Sequence, residues 1–200
     1  MEWLELDVDD AAAITAFADT VRAKFPTLNV LINNAGVMRA ETLKEQPAGL
    51  ADMEAMIRTN LLGPLRLTAA LMPSLLRQKR AAIVNVTSGL AFVPLVMTPT
   101  YSATKAALHS YTQSLRAQLA GTSVQVIELA PPAVQTDLMP GQSKAAYAMP
   151  LAEYTDEVMR LFETQPNADE TLVERVKPLR FAEATGKHAD VFAMINGGRH

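Results

Sequence analysis

The sequence predicts an α/β domain built on a parallel sheet. Short continuous apolar runs alternate with longer stretches whose apolar residues recur every three or four positions. The apolar runs end in turn residues, and no repeat, linker or low-complexity tract interrupts them. Two hundred residues suit one domain of ordinary size. An apolar fraction of 49% and a charged fraction of 20% suit a folded core.

Trp3-Leu4-Glu5-Leu6 reads as a first short strand. Asp9 or Asp10 can cap the helix that follows, whose stripe is Ile14, Phe17, Val21 and Phe25, and Pro26 closes it. Val30-Leu31-Ile32 has the continuous apolar character of a strand buried on both faces, and it ends in the turn Asn33-Asn34-Ala35-Gly36. A helix over roughly 50–77 follows. Gly63-Pro64 should kink it just after Asn60, because proline removes a backbone donor and crowds the preceding turn. Ala82 to Thr87 is the next strand, with Ser88-Gly89 at its carboxyl end. The segment from Leu90 to Pro99 leads into a helix carrying Tyr101 and Lys105, which Gly121 terminates. Val124 to Leu129 is a further strand, stopped by Pro131-Pro132. The tail offers helices near 151–164 and 169–181.

The bulk numbers exclude several function classes. A net charge of −3 with no Lys/Arg run gives no footprint for nucleic acid. There is no cysteine, hence no disulfide and no thiolate metal site. His109, His188 and His200 lack metal-ligand spacing, and His109 reads as a helix-surface or subunit-contact residue. The longest apolar run, Leu90 to Met97, is broken by Pro94 and too short for a bilayer. Met1 to Asp7 is acidic and has no basic start of a secretory signal, so a cytoplasmic protein is expected.

Chemistry concentrates in Asn60, Ser88, Tyr101 and Lys105. Tyr101 and Lys105 stand four apart in Thr100-Tyr101-Ser102-Ala103-Thr104-Lys105, so a helix puts them on one face, one turn apart. With four tyrosines and seven lysines in 200 residues, roughly 0.14 such pairs arise by chance, so the pair alone decides little. The order of the other parts adds weight: a serine at a strand end, an asparagine at a helix kink, and the Asn33-to-Gly36 turn. A tyrosine acts as proton donor and acceptor at neutral pH only if its pKa falls from near 10 to near 7, which takes about 4 kcal/mol. An exposed Tyr-Lys pair supplies roughly 0–1 kcal/mol. A desolvated pair beside a cationic cofactor ring can supply more.

These residues, in this order, resemble the active site of the short-chain dehydrogenase/reductase family. The segments 28–38, 101–115 and 124–132 are most similar to a bacterial subfamily labelled DltE-like oxidoreductases. The resemblance implies a Rossmann-like doubly wound parallel sheet and an NAD(P)-dependent oxidoreductase acting on an alcohol/carbonyl pair. The cofactor would be NAD or NADP and the partner a small-molecule substrate, weakly expected to be apolar. It implies Tyr101 as general acid/base, with Lys105 lowering its pKa and bonding the nicotinamide ribose. Ser88 would orient the substrate oxygen, and Asn60 would hold a water linking Lys105 to solvent.

Further cofactor contacts follow from the same resemblance. In Leu6-Asp7-Val8, Asp7 would meet the adenine amino group and Val8 flank its ring; a helix-leading cap is the alternative for Asp7. Asn34, Ala35 and Gly36 would pass beside the cofactor or hold the central strand. Pro131, Val134 and Thr136 occupy the place of a segment that touches the nicotinamide carboxamide, with Pro132 standing where the family has glycine. Met139, Tyr147, Met149, Tyr154, Met159 and Phe162 could line an apolar substrate lid or simply pack. A homodimer or homotetramer is implied as well.

The glycine-rich turn that cradles the pyrophosphate in this family is not found among the nine glycines. By resemblance, about 50 residues carrying two strands, two helices and that loop are expected to precede Met1, leaving the sheet incomplete at its N-terminal side. A truncated reading frame or chain is the expected cause. A non-catalytic binding or scaffold protein that keeps the core is the alternative.

Overall fold

A computed structural model describes residues 2–44 and 50–197. Its core is a four-stranded parallel sheet in the order β1-β2-β3-β4, formed by Val30–Asn33, Ala81–Val86, Val124–Leu129 and Glu170–Thr171. Parallel neighbours need crossovers, and helices supply them. In chain order these are α1 (Ala11–Lys24), α2 (Leu50–Ile57), α3 (Gly63–Leu76), α4 (Pro99–Gln118), α5 (Leu151–Thr164), α6 (Lys177–Arg180) and α7 (His188–Asn196).

Strand alternation splits the core into two layers. Leu31, Ile83 and Val126 face α1, α3 and the Leu115 turn of α4, packing on Ile14, Val21, Leu67 and Leu71. Val84, Val86, Ile127 and Leu129 point the other way, onto Met149, Val158 and Leu161 and onto Val173 and Val176. Helices on both faces make the sheet doubly wound.

Local signals act as the sequence suggests at several ends. Asp10 caps α1, its carboxylate accepting from the Ala12 and Ala13 amides at 2.7 and 3.2 Å. Asp9 is free for another use and accepts from the Thr59 hydroxyl at 2.7 Å. The bend after Asn60 takes the form of a π turn over Arg58–Leu62 between α2 and α3. The Gly63 amide reaches back five residues to the Arg58 carbonyl, and Pro64 has no N–H to restore the ordinary ladder.

Three expectations are corrected. Trp3 to Leu6 forms no strand: among the described residues no strand lies alongside to pair with it, and Leu4 and Leu6 instead pack on the α1/α3 core. Val30-Leu31-Ile32 is not buried on both faces. Val30 and Ile32 are 46% and 55% exposed, because α5 and the tail cover β2 and β3 but do not reach over β1. Residues 169–181 are not one helix. Glu170 and Thr171 add to the sheet beside Glu128 and Leu129, a 3₁₀ turn follows at Glu174–Val176, and only Lys177–Arg180 is α-helical.

A polar chain crosses the buried sheet. The Asn33 amide donates to Asn85 at 2.8 Å and to Thr68 at 3.0 Å, and Asn85 donates to Thr112 at 2.9 Å. These bonds tie β1 and β2 to α3 and α4 in one register, with Asn33 opposite Asn85.

Gly63 is where the π turn meets the N-terminal segment. A Cβ there would stand 3.1 Å from both the Val8 Cβ and the Val8 carbonyl oxygen. Backbone cannot swing aside as a side chain can. Gly63→Ala is therefore expected to destabilise the fold by about 1–3 kcal/mol, read as a lower denaturant midpoint with unchanged slope. An unchanged midpoint would contradict this packing.

Candidate active site

The carboxyl ends of β1 and β2 and the first turns of α4 converge on one site. Ser88 follows β2 directly. Its hydroxyl accepts from the Leu90 amide at 3.1 Å and caps the short 3₁₀ turn Gly89–Ala91. Tyr101 and Lys105 sit one turn apart on the sheet-facing side of α4, 5% and 4% exposed. Ser88 hydrogen-bonds the Tyr101 phenol. The Lys105 ammonium lies 5.6 Å from the Tyr101 ring centroid and donates to the Val86 carbonyl at 2.8 Å.

Asn60 is fully buried within the π turn. Its side chain clamps the Val37 backbone from both sides, accepting from the Val37 amide and donating to its carbonyl, each at 2.8 Å. A third bond runs to the Thr104 hydroxyl on α4 at 3.3 Å. Gly36 lies above this group. A Cβ there would stand 3.5 Å from Asn60 Oδ1 and 3.8 Å from Lys105 Nζ, so glycine keeps that wall open. Asn60, Ser88, Tyr101, Lys105 and Gly36 thus gather in one place from four separate stretches of chain.

The remaining residues singled out in the sequence are placed as follows. Pro131 lines the cavity with Ser88 and Tyr101, and its carbonyl accepts from the Gly89 amide at 2.8 Å. Val134 is buried and bridged to Met149, while the Thr136 hydroxyl turns back to the Val134 carbonyl at 3.4 Å. Asn34 and Ala35 are exposed. The exposed Asp7 carboxylate accepts from the Asp9 amide at 2.9 Å, and Val8 packs on Gly63.

A cavity of about 500 Å³ opens beside Ser88 and Tyr101. Its walls are mostly apolar, from Leu90, Leu95, Leu138, Leu179, Met194 and Ile195 among others. Met139 and Tyr147 line it as well. Met149, Tyr154 and Phe162 instead pack in the second core layer, and Met159 is exposed. The two readings of these residues therefore divide by position. The wall residues after Val173 were missed from sequence, because the tail's helical periodicity is shared among a strand, a 3₁₀ turn and two short helices.

Another group escaped the sequence reading. Glu128, inside β3, is fully buried and accepts from the Thr87 hydroxyl at 2.6 Å. Its second oxygen meets His109 Nδ1 at 2.7 Å. His109 is thus not simply a helix-surface residue: it lies two turns beyond Tyr101 on α4 and, partly buried, points its ring nitrogen at the sheet. Glu170 stands close by with both oxygens bonded by Arg180, at 2.8 and 2.9 Å. The ligand atoms of His109, Glu128 and Glu170 lie within 4.8 Å of one another. Arg180, Thr87 and His109 itself occupy the carboxylate oxygens, which makes the cluster a hydrogen-bonded ion network. Through Thr87 it braces the strand end carrying Ser88.

Electrostatics oppose ready ionisation. Burial pushes the Tyr101 phenol up to about 12, against a smaller downward pull from the Ser88 hydrogen bond. Burial also pulls Lys105 down to about 8. The phenol is held protonated and the ammonium is poised near neutrality.

The model of the short chain dehydrogenase family matches residues 1–146. The chain belongs to this family. It is 46% identical over 134 residues to the uncharacterized oxidoreductase DltE of Bacillus subtilis, covering 67% of this chain and 53% of that protein. It is 33% identical over 134 residues to an NADP-dependent 3-hydroxy acid dehydrogenase of Schizosaccharomyces pombe, covering 67% of this chain and 51% of that one. A crystal structure of a short chain dehydrogenase from Burkholderia cenocepacia in complex with NADP superposes with a TM-score of 0.81 at 27% identity, over 96% of this chain and 80% of that one. The chain spans about half the length of the curated relatives it matches. Among the described residues no helix is long and apolar enough to cross a membrane.

The displaced Lys105 titration has a thermodynamic signature. Between about pH 8 and 10.5 the unfolded lysine holds a proton that the folded one has lost, so stability rises with pH across that window. Relative to Lys105→Met, the wild-type unfolding free energy is expected to gain roughly 3 kcal/mol from pH 7 to 10.5. Parallel curves for the two proteins in chemical denaturation would contradict the burial of the charge.

Proposed function

We propose that this chain carries the catalytic portion of an NAD(P)-dependent oxidoreductase acting on an alcohol/carbonyl pair. The observation that carries the reading is Ser88 and Tyr101 lining one cavity, with the buried Lys105 one turn from Tyr101 and Gly36 leaving a wall open beside Lys105. The NADP named for the Burkholderia cenocepacia structure, and the NADP-dependent activity named for the Schizosaccharomyces pombe relative, support the same cofactor class here.

The residues present suit the nicotinamide end of such a cofactor. Gly36 allows close approach, Lys105 offers a donor to the ribose, and Pro131, Val134 and Thr136 supply backbone and hydroxyl groups for the carboxamide. Asp7 and Val8 are the proposed adenine contacts, with Asn34 and Ala35 alongside. The glycine-rich phosphate motif does not occur among the nine glycines of this sequence. When bound, the cofactor supplies or accepts a hydride at the substrate carbon.

The chain's own groups manage the oxygen. Ser88 donates to the substrate oxygen and fixes it beside the Tyr101 hydroxyl. In reduction, Tyr101 gives its proton to that oxygen as the C–H bond forms, and the protonated phenol favoured by burial is the form this step needs. Lys105 stabilises the phenolate that remains. The Asn60 side chain is spent on Val37 and Thr104, so its main-chain carbonyl is the group left to hold a relaying water; its usual donor four residues on is missing at Pro64. The proposed assembly is a homodimer or homotetramer.

Reduction of a carbonyl substrate with NADPH or NADH, followed at the nicotinamide absorbance, tests the assignment. Tyr101→Phe is expected to lower kcat/KM by about a hundredfold or more, while calorimetric titration shows cofactor affinity retained. Undiminished turnover in that variant would sink the role given to Tyr101.

A further inference from the structure

We propose that the substrate of this site bears an anionic group, a carboxylate or similar oxyanion joined to its alcohol or carbonyl by an apolar segment, and that Arg175 receives it. The inference rests on the function proposed above and adds a substrate class to it.

Three observations carry it. First, among the described residues lining the cavity that holds Ser88 and Tyr101, Arg175 is the only one with a formal charge. The rest of the wall is dominated by leucine, methionine, isoleucine and proline, which suits a hydrocarbon body. Such a cavity with one fixed cation discriminates by charge at one end and by shape elsewhere.

Second, Arg175 has no carboxylate partner among the described residues. Arg22, Arg39, Arg58, Arg116, Arg160 and Arg180 each pair with an acidic side chain; Arg66, Arg77 and Arg80 do not, but they lie away from the cavity. The adjacent Glu174 carboxylate, the nearest in sequence, is engaged by Lys177 at 2.6 Å. Arg175 is exposed, and its guanidinium stands at the cavity wall with no ion pair among the described residues to compete with a ligand.

Third, Arg175 is positioned in advance. Its Nη2 donates to the Tyr147 carbonyl at 3.0 Å, which ties the turn Glu174–Val176 to the segment forming another part of the cavity wall. One bond to a neutral carbonyl orients the guanidinium and leaves further N–H groups for a ligand. An arginine presents such donors as a planar fork matched to an oxyanion. Fixing it beforehand reduces the ordering cost of binding.

Charge selectivity of binding tests this separately from turnover. The probes are straight-chain aliphatic oxo acids and their methyl esters, which share a carbonyl and an apolar chain and differ in charge. Dissociation constants come from ligand-observed NMR on the wild-type protein and on Arg175→Gln and Arg175→Lys. At least one acid is expected to bind the wild type about tenfold or more tightly than its ester. Arg175→Gln should erase the preference while leaving ester affinity in place, and Arg175→Lys should restore part of it. Equal binding of acid and ester by the wild type, binding of neither, or an acid preference that survives in Arg175→Gln would overturn the proposal. Oxidoreduction is judged independently. Acid-selective binding without nicotinamide-dependent turnover would support the anion site and contradict the catalytic reading; ester turnover without acid selectivity would do the reverse.

Discussion

The arrangement depends on burying the Lys105 ammonium where, among the described residues, a main-chain carbonyl is its one direct hydrogen-bond partner. Burying a charge is expensive unless hydrogen bonds and position compensate. The 2.8 Å bond to the Val86 carbonyl ties α4 to the end of β2. That bond fixes the turn of α4 carrying Tyr101 against the strand end carrying Ser88. If Lys105 left the pocket, Tyr101 would lose its nearby cation and the Gly36 wall its neighbour.

Two supports keep that geometry from relaxing. On one side, the π turn buries Asn60 so that its amide holds Val37 and Thr104, joining the turn after β1 to α4. On the other, Glu128 holds Thr87 and His109, joining the strand end to α4 two turns beyond Tyr101. Both rest on buried polar groups with partners at hydrogen-bond distance, which are rigid because leaving any one unpaired is costly. The price of such rigidity is visible in the proton affinities. With the phenol raised to about 12, producing phenolate near pH 7 takes roughly 7 kcal/mol. Lys105, itself pulled down to about 8, does not provide that within this protein alone. In the proposed reaction the remainder falls to the positive charge of an oxidised nicotinamide.

The sequence made much of this legible, and for identifiable reasons. Tyr101 and Lys105 were readable because a spacing of four has one geometric meaning on a helix. The strand at Val124–Leu129 was bounded by prolines, and the bend at Asn60 was announced by Gly63-Pro64, although the choice of a π turn was not. Edge effects were not readable. The burial of Val30 and Ile32 depends on what covers β1, and the fate of Trp3 to Leu6 depends on whether a strand lies alongside. Glu128 was invisible because a carboxylate inside an apolar strand declares itself only when a histidine from another element arrives opposite it. Arg175 carried no signal in the sequence, because only the fold of the tail sets it at the cavity wall.

The proton affinity of Tyr101 is the most direct measure of this account. Carbon-13 labelling at tyrosine Cζ reports ionisation by chemical shift, and the Tyr101 signal is identified by its loss in Tyr101→Phe. Without cofactor, that resonance is expected to keep the shift of a protonated phenol at pH 10, where an ordinary tyrosine is half ionised. A midpoint at or below 10 would show that the desolvated, serine-bonded phenol described here is not the state of the protein in solution.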